Sequence, residues 1–197
     1  MTDQIRWEQF MGGDQAALSQ IFLEFHDDLF NYGMKLSAND DIVKDSIQDL
    51  FLKLWKNRQN LDKVKVIKPY LFKSLRHHIF DSIELRKSLR LTDEESNRAF
   101  EVVYSHEDFL IDEQINTETR DKVIQALNQL TPRQREAIYL RYFEELEFST
   151  VAQVMEMNVQ SVRNTIHRGM QVMRDLMVLH VFFLMLGKSA DFFRVPI

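Results

Sequence analysis

Apolar side chains recur at helical spacing along nearly the whole chain, and that period limits the fold more than any single residue does. Leu18, Ile21, Phe22, Phe25 and Leu29 follow an i, i+3, i+4, i+7, i+11 pattern, which turns one side of a helix toward a core. Asp14 stands where it can cap that helix. A second helix starts near Asn39 or Asp40 and buries Val43, Ile47, Leu50, Phe51 and Leu54. The segment NRQNLDKVKVIK, Asn57 to Lys68, keeps no period and reads as a loop. Pro69 suits the first turn of a third helix running toward Arg90, with Leu71, Leu75, Ile79 and Ile83 facing inward. Five glycines and three prolines in 197 residues leave little turn chemistry for strands, so the expected fold class is all-α.

Val123, Ile124, Leu127 and Leu130 open a second helical unit. In LTPRQRE, Thr131, Pro132 at the first helical position and Gln134 make a capping box, a firm helix start. The helix that follows carries Ala137, Ile138, Leu140 and Tyr142. Then comes VAQVMEMNVQSVRNTIHRG, which holds two short apolar stripes. Val151, Val154 and Met155 form the first, beside the small Ala152. Val159, Val162, Ile166 and Met170 form the second. Glu156, Met157 and Asn158 break the rhythm between them, and Asn158 can cap the second helix. Opposite that second stripe stand Gln160, Ser161, Asn164 and Arg168, flanked by Arg163 and His167, without one carboxylate. Two helices across a tight turn, the second with a neutral-to-cationic face, fit a DNA major groove. A plain helical hairpin with a solvated face is the alternative.

The formal net charge of -5 argues against DNA only until its distribution is followed. From Lys63 to Arg90, eight Lys and Arg face only Asp81 and Glu84, whereas Asp93 to Asp121 is acidic and weakly periodic, as a linker would be. On the third helix Lys73, Arg76, His77, Phe80 and Glu84 share one face. Phe80 among cations suits stacking on an unpaired base while the cations hold phosphates, or packing against a neighbouring helix or the 57–68 loop. The outer side of the second helix gathers Asp45, Gln48, Asp49 and Leu52. By default it is a solvated face; to a partner bearing arginines it offers a charged rim around one apolar contact.

Other classes are disfavoured. Without cysteine there is neither a disulfide framework nor a thiolate metal site, a usage that fits a reducing cytoplasm. MTDQIRWEQF lacks the basic head and apolar run of a secretory signal, and the apolar stretch from Met177 to Leu186 is about half of the ~20 residues a spanning helix needs, so no membrane insertion is expected. His26, Asp27, His77, His78 and Asp81 are the residue types of all-α metal phosphohydrolases. Yet no histidine precedes His26, and the adjacent His77 and His78 point about 100° apart on a helix. No metal, cofactor or enzymatic activity is expected.

Three stretches, in order, resemble the small extracytoplasmic-function (ECF) group of the sigma-70 family of bacterial RNA polymerase sigma factors. VKDSIQDLFLKLWKN, Val43 to Asn57, is similar to the region 2 helix that docks on the polymerase clamp; PYLFKSLRHHIFDSIELRKS, Pro69 to Ser88, to the helix that melts and reads the -10 element; and Leu130 to Leu176 to region 4, whose helix-turn-helix reads the -35 element. The resemblance implies region 2 over 1–90, an acidic flexible linker over 91–119, region 4 over 120–177 and a C-terminal extension over 178–197. It implies a cytoplasmic transcription initiation factor that brings core RNA polymerase to promoters. A stand-alone helix-turn-helix regulator is the rival. Core polymerase and promoter DNA are the implied partners, with an anti-sigma factor as a further candidate. Asp45, Gln48, Asp49 and Leu52 then meet the clamp; Lys73, Arg76, His77 and Phe80 meet the non-template strand; Gln160, Ser161, Arg163, Asn164, His167 and Arg168 enter the upstream groove. The loop from Asn57 to Lys68 is where such proteins capture a flipped base.

Two departures from the family pattern stand out. Glu156 occupies the turn position where the family usually has glycine, and a left-handed backbone there costs about 1 kcal/mol. His77 replaces a common asparagine. The apolar tail from Val178 onward either packs on the second domain or binds elsewhere. Elements two helical turns apart lie ~60–70 Å from each other, at about 34 Å per turn. A linker of about 29 flexible residues averages only ~30 Å, though its contour reaches ~95 Å. The separation must be imposed from outside, so the free chain is expected to be compact or variable and to hold promoter DNA poorly.

Overall fold

The computed structural model describes the backbone of residues 2–89 and 117–192, with side chains for 2–86 and 121–176. Among the described residues every regular element is helical. Four helices form the first group: α1 (Asp3–Met11), α2 (Gln15–Leu36), α3 (Asp40–Asn57) and α4 (Ile67–Leu89). Four more form the second: α5 (Thr117–Asn128), α6 (Pro132–Ile138), α7 (Phe148–Val154) and α8 (Val159–Phe192). In the first group α2, α3 and α4 pack pairwise, with α1 laid across α2 and α4; in the second, α5, α6 and α7 all pack on α8. The two groups touch along α4 and α7.

Caps start these helices where the sequence places them. Asp14 Oδ1 accepts from the amides of Ala16 and Ala17, and Asn39 Oδ1 from that of Ile42. Thr131 and Gln134 close their capping box, each side chain taking the other's backbone N–H. The inward stripes of α3 and α4 are buried as expected, together with Phe72. Ahead of Asp14, α1 adds a short helix whose Trp7 and Phe10 are fully buried. Trp7 Nε1 also donates to the carbonyl of Asp62 (3.0 Å), which ties α1 to the 57–68 loop, itself holding a single 3₁₀ turn at Arg58–Asn60. Asp3 accepts from the Ile67 amide (3.0 Å) where α4 begins, and Pro69 sits third in the helix, within its first turn as expected.

Three apolar positions differ from their expected burial. Phe22 and Met170 are 36 % and 42 % exposed. Tyr142 is exposed while Tyr139 is buried, because α6 widens after Ile138 into a π turn over Tyr139–Phe143, with the Glu144 amide donating to the Tyr139 carbonyl (3.1 Å). One residue per turn is gained, and the inward face shifts. The expected acidic linker lies outside the described residues, apart from the start of α5. The α8 backbone continues unbroken through residue 177 to Phe192, and how the tail's side chains pack lies outside the described residues.

Two helix crossings are set by glycine. A Cβ on Gly33 of α2 would lie 2.5 Å from Val43 Cγ1 and 3.3 Å from Ile79 Cδ1, so α3 and α4 both approach α2 at this point. Val43 is stiff at χ1 and cannot turn away. A Cβ on Gly169 would meet Ile138 Cδ1 at 2.9 Å, the movable end of its side chain. Gly33→Ala should therefore lose ~1–3 kcal/mol from overpacking, after any gain in helix propensity, in denaturant unfolding. Gly169→Ala should lose less; equal stability of Gly33→Ala and the parent would show that this glycine does not set the spacing.

Candidate nucleic-acid interface

The outward polar face of α8 is positioned by a short helix, a left-handed turn and the start of α8 itself. After α7 ends, Glu156 takes φ 53°, and the Met157 amide returns to the Ala152 carbonyl (2.9 Å), which reverses the chain in very few residues. Asn158 Oδ1 then caps α8 by accepting from the Ser161 amide (2.7 Å). Val162 and Ile166 are buried, which fixes the rotation of α8 and turns its polar side outward. Gln160, Arg163, Asn164, His167 and Arg168 are exposed, with Ser161 half-buried. Gln160 Nε2 donates to Asn164 Oδ1 (3.0 Å), pairing two amides side by side on the surface. The Arg163 guanidinium lies 5.5 Å from the Phe148 ring and that of Arg141 5.1 Å from the same ring, so an aromatic on α7 braces a cation of the outward face. Donors, acceptors and cations, with no carboxylate from Val159 to Gly169, suit base edges and phosphates.

The α4 face is arranged differently: its cations are already paired. Glu136 of α6, only 5 % exposed, accepts at Oε1 from Arg76 Nε (2.7 Å) and from the Tyr32 hydroxyl of α2 (2.8 Å). Burial would lower the Arg76 pKa, but the Glu136 carboxylate outweighs it and the guanidinium stays firmly charged. Burial, reinforced by that same carboxylate, raises the Tyr32 pKa well above its ordinary value, so the phenol remains a donor. Tyr32 also stacks on Phe72 of α4 (4.8 Å) and on Tyr139 (6.1 Å), which continues to Phe143 (5.5 Å). An aromatic ladder thus crosses between the groups. Farther along, Glu156 accepts from Lys73 Nζ (3.1 Å) and faces His77 Nε2 (3.2 Å), and first the Lys73 hydrogen bond, then the His77 charge, lowers the Glu156 pKa. Lys68 lies 2.9 Å from Asp28 and 2.7 Å from Glu144. Phe80 is half-buried against the first core with the Arg76 guanidinium 4.4 Å above its ring, and Glu84 is exposed. The sequence reading brought Lys73, Arg76, His77 and Phe80 to one face, and they lie together; it missed Tyr32, Glu136 and Glu144, which meet that face from elsewhere in the chain.

On α3, Asp45, Gln48, Asp49 and Leu52 are all exposed, Leu52 by 47 %. Gln48 and Leu52 border a groove of about 620 Å³ between α2 and α3, lined by Leu18, Phe22, Phe51 and Trp55. Phe22 is therefore a rim residue of this groove rather than core, which its helical spacing alone could not show. Among the described residues no three His, Cys, Asp or Glu side chains gather as a metal site would need, and no helix is long and apolar enough to cross a membrane.

Comparison with known proteins agrees with both groups of helices. The Sigma-70 region 2 family profile matches residues 21–89, and that of Sigma-70, region 4 matches residues 120–173. The chain is 22 % identical to the RNA polymerase sigma factor SigV of Bacillus subtilis (strain 168) over 160 residues, 81 % of this chain and 90 % of that protein. It is 23 % identical to the ECF RNA polymerase sigma factor SigW of the same organism over 174 residues, 86 % and 93 % of the two chains. Among solved structures, CnrH in complex with the cytosolic domain of CnrY shares the fold at a TM-score of 0.61 and 20 % identity, covering 90 % of this chain and 97 % of that one. The sigma factor RpoE of Bartonella quintana, in complex with the anti-sigma factor NepR, does so at 0.58 and 22 %, covering 81 % and 95 %. Region 2, region 4 and full-length relatives together place the chain in the extracytoplasmic-function group of the sigma-70 family, the sigma factors of transcription initiation.

Proposed function

We propose that this sigma factor docks on core RNA polymerase through the outer side of α3, reads an upstream promoter element with α8, and melts and holds a downstream element with α4. The observation that carries the reading is the exposed side of α8. A helix buried on Val162 and Ile166 has no structural need for six polar residues free of acid on its other side, whereas a major groove does. Asp45, Gln48, Asp49 and Leu52 meet the clamp, with the α2–α3 groove beside them receiving apolar side chains. Residues 1–90 and 120–177 act as the two working domains, and the 91–119 segment spans the distance that polymerase imposes. Because CnrH is seen in complex with the cytosolic domain of CnrY, and RpoE with the anti-sigma factor NepR, an anti-sigma partner is proposed here as well.

Capture by core polymerase tests the central assignment. Leu52→Glu, at an exposed position, should leave unfolding unchanged and reduce capture at least about tenfold, the effect of placing a charge in an apolar contact; unimpaired capture would move the docking surface elsewhere. Promoter DNA should be retained only when core enzyme is present. Binding of a defined duplex by the chain alone, in a gel-shift without polymerase, would favour the stand-alone regulator. Arg168→Ala should cost ~1–3 kcal/mol of discrimination among upstream sequences if it reads a base. A uniform loss across all sequences would make it a phosphate contact. Sequencing the DNA retained by the reconstituted holoenzyme identifies the promoters.

A further inference from the structure

The melting face of α4 and the reading face of α8 differ in one respect. The α8 side chains are open to solvent, while each cation of the α4 face meets a carboxylate from the second group of helices. Those carboxylates come from three separate places: Glu136 on α6, Glu144 after the π turn, and Glu156 in the helix-turn-helix turn. Of the three, Glu156 is the informative one. It holds φ 53°, a conformation that glycine adopts more easily than glutamate; Glu145 takes φ 54° as well, so what sets Glu156 apart is what its side chain meets. Among the described residues its exposed carboxylate pairs with Lys73 and His77 of α4 and with no group of its own turn. A carboxylate in the turn whose ion pairs, among the described residues, lie across on α4 serves the contact between the groups.

We propose that Glu136 and Glu156 form an intramolecular latch, in which carboxylates of region 4 stand in for DNA phosphates on Lys73, Arg76 and His77 and keep the free chain from binding single-stranded DNA. The inference rests on the assignment of α4 as the melting face. Single-stranded DNA and the second group of helices compete for the same cations, so either one displaces the other. Polymerase, by holding the groups apart, frees the face only where a promoter is engaged. The aromatic ladder through Tyr32 and Tyr139 gives the closed form an apolar seam, and the carboxylates give it sensitivity to competing anions.

The test uses the full chain and a fluorescein-labelled single-stranded oligonucleotide of mixed sequence, read by anisotropy without polymerase. If the closed form outnumbers the open one by about ten to one, opening the latch tightens binding about tenfold. Glu156→Gly removes one carboxylate and relieves the turn, so loss of folding cannot explain its result; it should tighten binding several-fold, and Glu136→Gln with Glu156→Gln should tighten it further. Adding Lys73→Ala to Glu156→Gly should return binding toward the parent value. Glu145→Gln with Glu147→Gln, at exposed sites off the interface, makes the same two-charge change as the Glu136 and Glu156 pair and should have little effect. No gain from Glu156→Gly, or an equal gain from the Glu145 and Glu147 pair, would overturn the latch. Capture of the parent chain by core polymerase is measured alongside. Capture without a latch effect refutes the latch alone, whereas failure of capture removes the assignment of the face and the latch with it.

Discussion

One carboxylate joins the halves of this protein. Glu136 is buried where α2, α4 and α6 converge, and a single oxygen of it receives both the Tyr32 hydroxyl and the Arg76 guanidinium. A buried charge is tolerable only when paired, and removing one partner from such a pair typically costs about 3–5 kcal/mol. In the separated form proposed for the polymerase-bound chain, the two groups of helices part and water hydrates both charges. The pair is therefore weak as a source of stability and strong as a condition on geometry, since it is satisfied in one arrangement and harmlessly hydrated in the other. Around it, the stacking of Phe72, Tyr32, Tyr139 and Phe143 adds apolar contact, and Lys68, Lys73 and His77 add ion pairs at the rim. The exposed Lys73 and His77 pairs contribute little each, so the buried centre, with the part-buried Lys68–Glu144 pair, fixes the arrangement and the exposed pairs set its response to salt and polyanions.

The helix-turn-helix shows the same economy at a local level. Asn158 caps α8, Val162 and Ile166 fix its rotation, and the Arg141–Phe148–Arg163 contacts brace one cation of its outward face. Each of these contacts lies within the second group. Glu156 differs, because its backbone costs the turn and its ion pairs, among the described residues, are with α4. A glycine would build the turn more easily and would leave Lys73 and His77 without their acceptor.

Much of this was legible from residue order because helices are local. Asp14, Asn39, Asn158 and the Thr131–Gln134 box act within a few residues, and the stripes of α3 and α4 repeat at a spacing that packing alone can satisfy. The faces of α3, α4 and α8 could likewise be drawn by rotation about a helix axis. What sequence could not supply was contact across distance. Tyr32 and Arg76 lie 104 and 60 residues from Glu136, and nothing near Glu136 marks it as buried rather than solvated. The π turn at Tyr139–Phe143 exchanged the burial of Tyr139 and Tyr142 for the same reason: one inserted residue shifts a helical face, and periodicity has no sign for it. Glu156 was partly visible, as an acid where the family has glycine, but its purpose appears only with Lys73 and His77 opposite.

The absence of cysteine allows two labels to be placed cleanly, at Gln20→Cys on α2 and Gln153→Cys on α7, both exposed. Energy transfer between them in the free chain should be high and should fall when core RNA polymerase is added, as the groups separate toward the ~60–70 Å that two promoter elements require. Transfer that stays high in a chain demonstrably bound to polymerase would contradict the transition from a joined to a separated pair of domains.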